Sequence, residues 1–181
     1  GKAPGPDQIN NIVLSQISNE ISQPLCDLFN ACIISLRFQN PWKEAHVTAV
    51  YKKGDASLVN NYRTISLLNV LGKVFEKIIF QQIFNFLKDT QFLTPFQSVF
   101  LPGDSTINQL AYIYNTFCQA IDSGHEVRVI FFDISKAFDR VWHKGLFVKL
   151  KAVGLSNAYV NLLSDYLKDR RQRVVLPGAK S

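Results

Sequence analysis

A nearly all-apolar run at residues 127–132 ends in the carboxylate of Asp133 and constrains the fold more than any other segment. Its side chains are mostly β-branched or aromatic, which is typical of a strand covered on both faces. A carboxylate at the end of a buried strand is costly unless it is paired or binds a cation. The sequence therefore predicts a buried strand at residues 127–132 and a specific partner for Asp133.

Two interpretations of Asp133 remain open at this point. Mg²⁺ is usually held by one or two carboxylates together with substrate phosphates, and in phosphoryl transfer such ions activate the attacking hydroxyl and neutralise the leaving pyrophosphate. Asp133 is therefore a candidate metal ligand. The alternative is that Asp133 caps the turn after its strand and that Asp139 is a second cap. The spacing alone favours this simpler alternative.

The remaining pattern mixes helical and strand periodicities, which predicts an α+β fold with helices packed on a small, largely antiparallel sheet. Two β-branched segments flank a Gly54-Asp55 turn and form the best hairpin candidate. Asp104 or Ser105 is expected to cap a helix that ends before Gly124. The expected helices cover residues 9–17, 20–37, 69–88, 105–123, 146–153 and 157–167, and the expected strands cover residues 45–52, 62–68, 127–132 and 171–176.

Three cations belong to the predicted hairpin. Lys52 and Lys53 precede its turn and Arg63 follows it. A lysine offers a point charge to phosphate, whereas an arginine offers a bidentate fork, so the group is suited to a triphosphate. A solvated basic hairpin without a ligand is the alternative, and this segment alone favours that alternative.

A second basic segment, residues 168–173, contains Arg170, Arg171 and Arg173. Such a segment can follow a nucleic-acid backbone through phosphate contacts. It can equally be a solvated turn, and the sequence does not decide between the two.

Charge and motif content narrow the classes of function. The 181 residues include 20 Lys and Arg against 14 Asp and Glu, a net charge of +6, which favours a polyanionic partner. The nine glycines form neither a P-loop nor a dinucleotide-binding fingerprint, so nucleotide binding by those loops is unsupported. His46, His125 and His143 are scattered and fit no metalloprotease or hydrolase signature.

Cysteine and methionine usage adds three expectations. Cys26, Cys32 and Cys118 are odd in number and have no CxxC spacing, which argues against a disulfide scaffold or a zinc site and favours a reducing compartment. No apolar run approaches the length of a membrane-spanning helix. Because the sequence contains no Met, we expect it to be a piece of a longer product.

Taken together, these segments resemble the reverse transcriptase of a non-LTR (long interspersed element, jockey-like) retrotransposon. The resemblance covers essentially the whole chain, and its motifs occur in the family's order. They lie at residues 5–7, 42–45, 52–55, 61–67, 73–77, 102–106, 132–143 and 170–172.

The resemblance implies roles for individual residues near the predicted strand. Asp133 matches the first metal-binding aspartate of the polymerase palm, and Ile134 matches the neighbour whose backbone carbonyl also binds the metal. Phe138 matches the aromatic gate beneath the incoming sugar, where a bulky ring excludes a ribose 2′-hydroxyl. Mg²⁺ is the metal that the family implies.

The hairpin cations also have family counterparts. Arg63 matches the arginine that meets the incoming triphosphate, and Lys52 or Lys53 matches its basic companion. The implied fold is the right-hand polymerase, with fingers over about residues 1–95 and part of the palm over about residues 96–181. The implied partners are an RNA template, a DNA primer and deoxynucleoside triphosphates, without a membrane, in the cytoplasm or nucleus.

The sequence also departs from the family pattern. Thr64 stands where relatives commonly have Pro, and residues 97–101 replace a Gln-Phe-Gly-Phe-Arg run. The residues after Asp133 contain neither Tyr-x-Asp-Asp nor Pro-Gln-Gly. We therefore expect the rest of the palm and the thumb to be absent and this chain alone not to polymerise. Two alternatives are a catalytically dead remnant that binds nucleic acid and an unstable fragment with an exposed core.

Overall fold

The computed structural model describes residues 3–175 and divides the chain into two compact units. The first unit contains the residues up to Phe84 and those from Phe147 onward, and the second contains Asn85–Leu146. Each unit is described by itself below.

The secondary structure mixes six helices with three strands over the described residues, so the predicted α+β class is confirmed. The helices are α1 (Asn11–Gln16), α2 (Ser18–Ser35), α3 (Val70–Asp89), α4 (Thr106–Asp122), α5 (His143–Ala152) and α6 (Asn157–Leu167). The strands are β1 (Glu44–Tyr51), β2 (Tyr62–Leu68) and β3 (Arg171–Val174). None of the helices within residues 3–175 is both long and apolar enough to span a membrane.

The sheet has the strand order β2-β1-β3. β1 and β2 form the predicted antiparallel hairpin, with Val50 opposite Arg63 and Tyr51 opposite Tyr62. β3 lies along the other edge of β1 and runs parallel to it, with Glu44 opposite Arg171. The sheet is therefore mixed, and the prediction of a largely antiparallel sheet is correct only for the hairpin.

An aromatic cluster forms the core of the first unit. The ring of Phe75 on α3 is fully buried and stacks on Phe29 of α2 at 5.1 Å. Phe38 and Trp42, between α2 and β1, meet edge to face at 5.5 Å. Gly72 allows α3 to approach Trp42, because a Cβ at that position would lie 2.9 Å from the Trp42 Cβ. This packing fixes α3 against the turn that leads into β1.

α4 begins where the sequence predicts. The Ser105 side chain accepts a hydrogen bond from the backbone N–H of Asn108 at 3.2 Å, which caps one of the free donors at the helix start. Gly124 adopts a φ of +76° and follows the last turn, in agreement with its predicted role as a terminator. No residue of α4 is buried, although its sequence carries an apolar face.

The predicted buried strand at residues 127–132 is wrong for this structure. Those residues belong to no strand, and Phe131 and Phe132 are 89% and 91% exposed. The backbone of residues 127–132 forms no hydrogen bond with other described residues. A strand requires a neighbouring strand for its backbone groups, and β1, β2 and β3 all belong to the other unit. The apolar run has strand-like composition but no pairing partner among residues 3–175.

Candidate functional site

The loop between β1 and β2, residues 52–61, is held by its own polar groups. The backbone N–H of Lys52 donates to the carbonyl of Asn61 at 2.8 Å, which continues the β1–β2 register beyond Tyr51. Gly54 turns the chain with a φ of +96°. The Asp55 carboxylate accepts hydrogen bonds from the backbone and hydroxyl of Ser57, both at 2.8 Å, and the backbone bond is the main cause that lowers the pKa of Asp55. These hydrogen bonds fix the backbone of the loop, and with it the positions of the adjoining residues Lys52 and Lys53.

The predicted triphosphate-binding residues lie on this hairpin. Lys52, Lys53 and Arg63 are all exposed, and none forms an ion pair within the described part of the chain. Arg63 lies opposite Val50, and side chains alternate between the faces of a strand. Lys52, two residues after Val50, continues the β1 register through its bond to Asn61 and therefore shares a face with Arg63, whereas Lys53 lies beyond that register, in the loop. Lys52 is the better partner for Arg63 of the two lysines.

Asp133 lies in the second unit, in the exposed segment without secondary structure. Its carboxylate is exposed and has no ion-pair partner within residues 3–175. The prediction that Asp133 is held at the end of a buried strand is therefore wrong here, because no strand forms before it. The carboxylate is nevertheless open to a ligand from solvent.

The other two residues predicted for this site, Ile134 and Phe138, follow Asp133 in the sequence, and the chain turns between them. Lys136 has a φ of +53°, and a 3₁₀ turn follows at Phe138–Arg140. The backbone N–H of Asp139 donates to the carbonyl of Lys136 at 3.0 Å, which stabilises this turn. The Phe138 ring is 79% exposed and contacts Phe100 edge to face with 6.2 Å between ring centroids. Ile134 is exposed as well.

The predicted metal ligands among the described residues are two oxygen donors. The Asp133 carboxylate and the Ile134 backbone carbonyl are oxygen donors, the class that Mg²⁺ prefers. Within residues 3–175, no group of three or more His, Cys, Asp or Glu side chains is arranged to hold a metal ion. The donor chemistry therefore fits Mg²⁺, but two oxygen donors are too few without further ligands such as substrate phosphates.

The second basic segment divides into two kinds of arginine. The Arg170 guanidinium lies 4.6 Å from the centre of the Tyr166 ring and donates to the Tyr166 backbone carbonyl at 3.2 Å. Arg171 and Arg173 belong to β3 and are exposed. Arg170 thus stabilises the end of α6, and the two strand arginines are available to a ligand.

Sequence reasoning missed a buried ion pair beside this segment. The Lys43 ammonium donates to the Asp165 carboxylate at 2.8 Å, and the backbone N–H of Phe38 donates to the same oxygen at 2.7 Å. The two charged residues are separated by 122 positions, and no local pattern links them. Their pairing holds α6, which leads to β3, against the turn that leads into β1.

A half-buried ionisable group, Glu76, was also missed. Burial raises the pKa of Glu76 on α3, although hydrogen bonding to Tyr166 and the positive charges of Arg170 and Lys73 oppose the shift. Burial and the neighbouring Glu76 likewise raise the pKa of Tyr166. Tyr166 therefore interacts with both the half-buried Glu76 carboxyl and the Arg170 guanidinium.

The predicted site residues form one group in each unit. Lys52, Lys53 and Arg63 on the hairpin and Arg171 and Arg173 on β3 belong to the sheet of the first unit. The second unit contains a shorter group, Asp133, Ile134 and Phe138, within one exposed segment and its turn.

A comparison with protein families bears on both groups at once. The family model described as "Reverse transcriptase (RNA-dependent DNA polymerase)" matches residues 50–178, a stretch that includes the end of β1, the loop and β2 of the hairpin, Asp133 and β3. The chain belongs to the reverse transcriptase family. This confirms the resemblance that the sequence motifs predicted.

Three reverse transcriptase relatives from Drosophila melanogaster are similar to this chain over nearly its whole length. The probable RNA-directed DNA polymerase from transposon X-element is 36% identical over 182 residues, which cover 99% of this chain and 20% of the relative. The RNA-directed DNA polymerase from mobile element jockey is 32% identical over 181 residues, with the same coverage. The probable RNA-directed DNA polymerase from transposon BS is 32% identical over 171 residues, or 94% of this chain and 19% of the relative. The chain thus spans about a fifth of the length of these relatives.

Proposed function

We propose that this chain is the part of a non-LTR retrotransposon RNA-directed DNA polymerase that binds the incoming deoxynucleoside triphosphate and provides one metal-binding carboxylate. The observation that carries the proposal is the continuous family match over residues 50–178. That stretch contains the hairpin cations Lys52, Lys53 and Arg63 for phosphate, the exposed Asp133 carboxylate for metal, and the exposed Phe138 ring that follows it in the chain. In right-hand polymerase terms, about residues 1–95 form mainly fingers and about residues 96–181 form part of the palm.

The hairpin residues supply the triphosphate contacts. Arg63 offers a planar fork that pairs with two phosphate oxygens, and Lys52 adds a point charge on the same face of the sheet. Lys53, in the adjoining loop, contributes to the local positive potential. Because these cations have no ion-pair partner among the described residues, binding requires no internal salt bridge to break.

The segment around Asp133 supplies the chemistry at the reacting end. The Asp133 carboxylate and the Ile134 carbonyl would hold Mg²⁺, which when bound activates the primer hydroxyl and neutralises the leaving pyrophosphate. Phe138 lies one turn later and would pack beneath the sugar of the nucleotide. A bulky ring in that position leaves no room for the 2′-hydroxyl that distinguishes ribonucleotides. The partners that follow are an RNA template and a DNA primer.

One observation favours a second candidate, a remnant that binds nucleic acid without transferring nucleotides. Residues 97–101 lack the Gly and Arg that the resemblance to the family implies at this segment, and Phe100 adopts a φ of +63°. The left-handed region is uncommon for a bulky side chain. A strained bend in a segment that departs from the family pattern is what an inactivated copy would accumulate.

The experiment that separates the two candidates replaces the matching segment of the jockey RNA-directed DNA polymerase with this chain. Extension of a labelled DNA primer on an RNA template is then measured with deoxynucleotides and Mg²⁺. The proposal expects incorporation by the chimera. The unaltered jockey polymerase and a thermal melt of the chimera are the controls. A chimera that melts cooperatively and binds the template but adds no nucleotide would support the remnant instead.

A further inference from the structure

A cavity of about 270 Å³ lies between α3 and α6 in the first unit. It is lined from α3 by Ile79, Phe80 and Ile83. It is lined from α6 by Leu162 and Leu163. The three α3 residues are spaced at i, i+1 and i+4, which places them on one side of the helix. The apolar pattern of the two helices therefore produces a cavity as well as a part of the core.

The inner side of the cavity is formed by side chains that are packed into the core. Phe38, which also lines the cavity, is 4% exposed and meets the Tyr166 ring edge to face at 4.9 Å. Ile79 and Leu162 are buried as well. Side chains in a close-packed core have little freedom to move, so this side of the cavity keeps its shape when a ligand binds.

Two polar contacts hold α6 alongside α3, one at each end of the cavity. The Tyr159 hydroxyl, near the start of α6, donates a hydrogen bond to the side-chain oxygen of Gln82. The Tyr166 hydroxyl, near the end of α6, hydrogen-bonds to the Glu76 carboxyl. Seven residues along a helix correspond to about 10 Å, and the α6 residues of the cavity lie between these contacts. The separation of the two helices is therefore fixed on both sides of the cavity.

The charges around the cavity favour an uncharged ligand. Glu76 is the only acidic or basic side chain among its described lining residues. The positive charges of Arg170 and Lys73 act on the Glu76 carboxyl, and the Arg170 guanidinium lies 4.6 Å from the centre of the Tyr166 ring. A cationic ligand would have to compete with these two cations, and an anionic ligand would approach a carboxylate. Neither charge finds an unused partner in the lining.

The volume of the cavity sets the size of the ligand. An apolar cavity of about 150 Å³ is large enough to bind one benzene ring. The cavity between α3 and α6 has nearly twice that volume, which matches two fused rings. Phe80 is 47% exposed, so the cavity is accessible from solvent on that side. Burial of an apolar ring system there is favourable and requires little ordering of the walls.

We propose that the cavity between α3 and α6 is a binding site for an uncharged aromatic compound of two fused rings. The site goes beyond the proposed function, because Lys52, Arg63 and Asp133 do not line the cavity. Its ligand is held by apolar contacts with the two helices. A compound that binds only the folded chain also raises its melting temperature.

The first test measures binding of quinoline to the 181-residue chain by isothermal titration calorimetry near neutral pH. Leu163→Trp adds a ring system to the cavity wall and is expected to weaken quinoline binding about tenfold, because the new ring takes the space of the ligand. Ile78→Trp adds the same ring system to another side of α3, outside the cavity, and is expected to change binding little. Equal effects of the two variants, or no binding by the wild type, would overturn the proposal.

A second pair of variants removes a ring and so avoids overpacking of the cavity. Phe80→Ser shortens a lining side chain that is only half-buried, and it is expected to weaken quinoline binding several-fold. Phe92→Ser removes an exposed ring that does not line the cavity and is expected to leave binding unchanged. Thermal melts of all four variants verify that each is folded. Equal binding by the Phe80 and Phe92 variants would contradict the proposal.

The charge of the ligand is tested with a probe of nearly the same shape. N-methylquinolinium carries a positive charge in its ring system and is expected to bind about tenfold more weakly than quinoline, because the lining offers no free partner for the charge. Tighter binding of the cation would overturn the uncharged class and would indicate that Glu76 and the aromatic side chains bind cations. The assay contains no nucleotide, nucleic acid or metal ion, so its result is independent of whether Asp133 supports nucleotide transfer.

Discussion

The Lys43 ammonium is almost entirely buried, and its side chain is only 5% exposed. Burying an ammonium group is costly unless a carboxylate and further hydrogen bonds compensate for the lost water. Asp165 provides that compensation at 2.8 Å and also accepts from the backbone N–H of Phe38. The Asp165 side chain is 31% exposed and can still be hydrated, so loss of the ion pair costs the Lys43 ammonium more than the Asp165 carboxylate.

Removing either partner should therefore have unequal effects on stability. Asp165→Ala leaves a buried ammonium unpaired and is expected to lower the free energy of unfolding by about 3 kcal/mol. Lys43→Met keeps the volume of the buried side chain and leaves Asp165 hydrogen-bonded to Phe38, so we expect a decrease of about 1 kcal/mol or less. Urea unfolding of the two variants measures the difference. A larger decrease for Lys43→Met would contradict this assignment.

Asp165 also predicts a pH dependence. Its burial opposes ionisation, but hydrogen bonds from Lys43 and from the Phe38 backbone outweigh that effect and hold the pKa below its ordinary value of 3.8. A depressed pKa in the folded state adds stability that is present above the unfolded-state value and is lost as the pH falls through the folded-state value. The gap in unfolding free energy between wild type and Asp165→Asn should therefore narrow below pH 3.8.

The comparison of these two proteins cancels the contributions of the other carboxyls with shifted pKa values, which include Asp55 and Asp104, both lowered. Burial raises the pKa of Glu76, so its contribution is lost as the pH rises, in the opposite direction, but it is present in both proteins. Urea unfolding at a series of pH values checks the prediction. A gap that stays constant down to the lowest pH would show that the Asp165 pKa is not depressed.

Phe138 makes a prediction about substrate choice. Its ring is exposed at the start of the 3₁₀ turn that follows Asp133, and the proposed function places it beneath the sugar of the nucleotide. In the jockey chimera, Phe138→Val should permit incorporation of ribonucleotides while deoxynucleotide incorporation persists, because the smaller side chain leaves room for the 2′-hydroxyl. Primer extension with each nucleotide class measures the ratio. If the Phe138 variant still rejected ribonucleotides, the assignment of Phe138 as the residue that excludes the 2′-hydroxyl would be contradicted.

At the scale of secondary-structure elements, the sequence pattern predicted the helices and the hairpin, which depend mainly on interactions between residues close in the sequence. The helices follow from apolar residues at helical spacing, and the hairpin follows from two β-branched segments around the Gly54 turn. The sequence predicted β3 as a strand but not its parallel pairing with β1. Glu44 and Arg171 are neighbours only because the core and the Lys43–Asp165 pair bring distant segments together.

The segment at residues 127–132 is an element that the local pattern predicted wrongly. Its composition favours a strand, but strand propensity depends on packing and pairing partners, which the described residues do not provide. An exposed apolar segment with unpaired backbone groups is a template for association between copies. The apolar composition that led to the wrong strand prediction is therefore also expected to lower the solubility of the chain.

Replacing the two most exposed rings of this segment should reduce association. Phe131→Ser with Phe132→Ser is expected to lower light scattering at a given protein concentration without lowering the melting temperature, since neither ring packs on the core. Phe92→Ser with Phe96→Ser removes two exposed rings outside the apolar run and is the matched control. Similar scattering changes in both double variants would indicate general surface hydrophobicity instead of a segment-specific effect.

At the scale of the whole molecule, the sequence identified the family and the hairpin cations, and the match over residues 50–178 supports the family. It did not predict that His46 lies opposite Arg173, because that register joins strands that are distant in the sequence. It also placed Asp133 at the end of a strand that does not form here. The chain spans about a fifth of its relatives, so pairing partners for residues 127–132 are not determined by residues 3–175 alone.

Asp133→Asn in the jockey chimera tests the central claim most directly. Primer extension on an RNA template should fall to background, because an amide cannot supply the anionic ligand that a divalent ion requires. Asp139→Asn, a matched change in the following turn, should retain extension, and template binding should persist in both variants. Undiminished extension by the Asp133 variant, or an equal decrease in the two, would contradict the assignment of Asp133 as the metal-binding carboxylate.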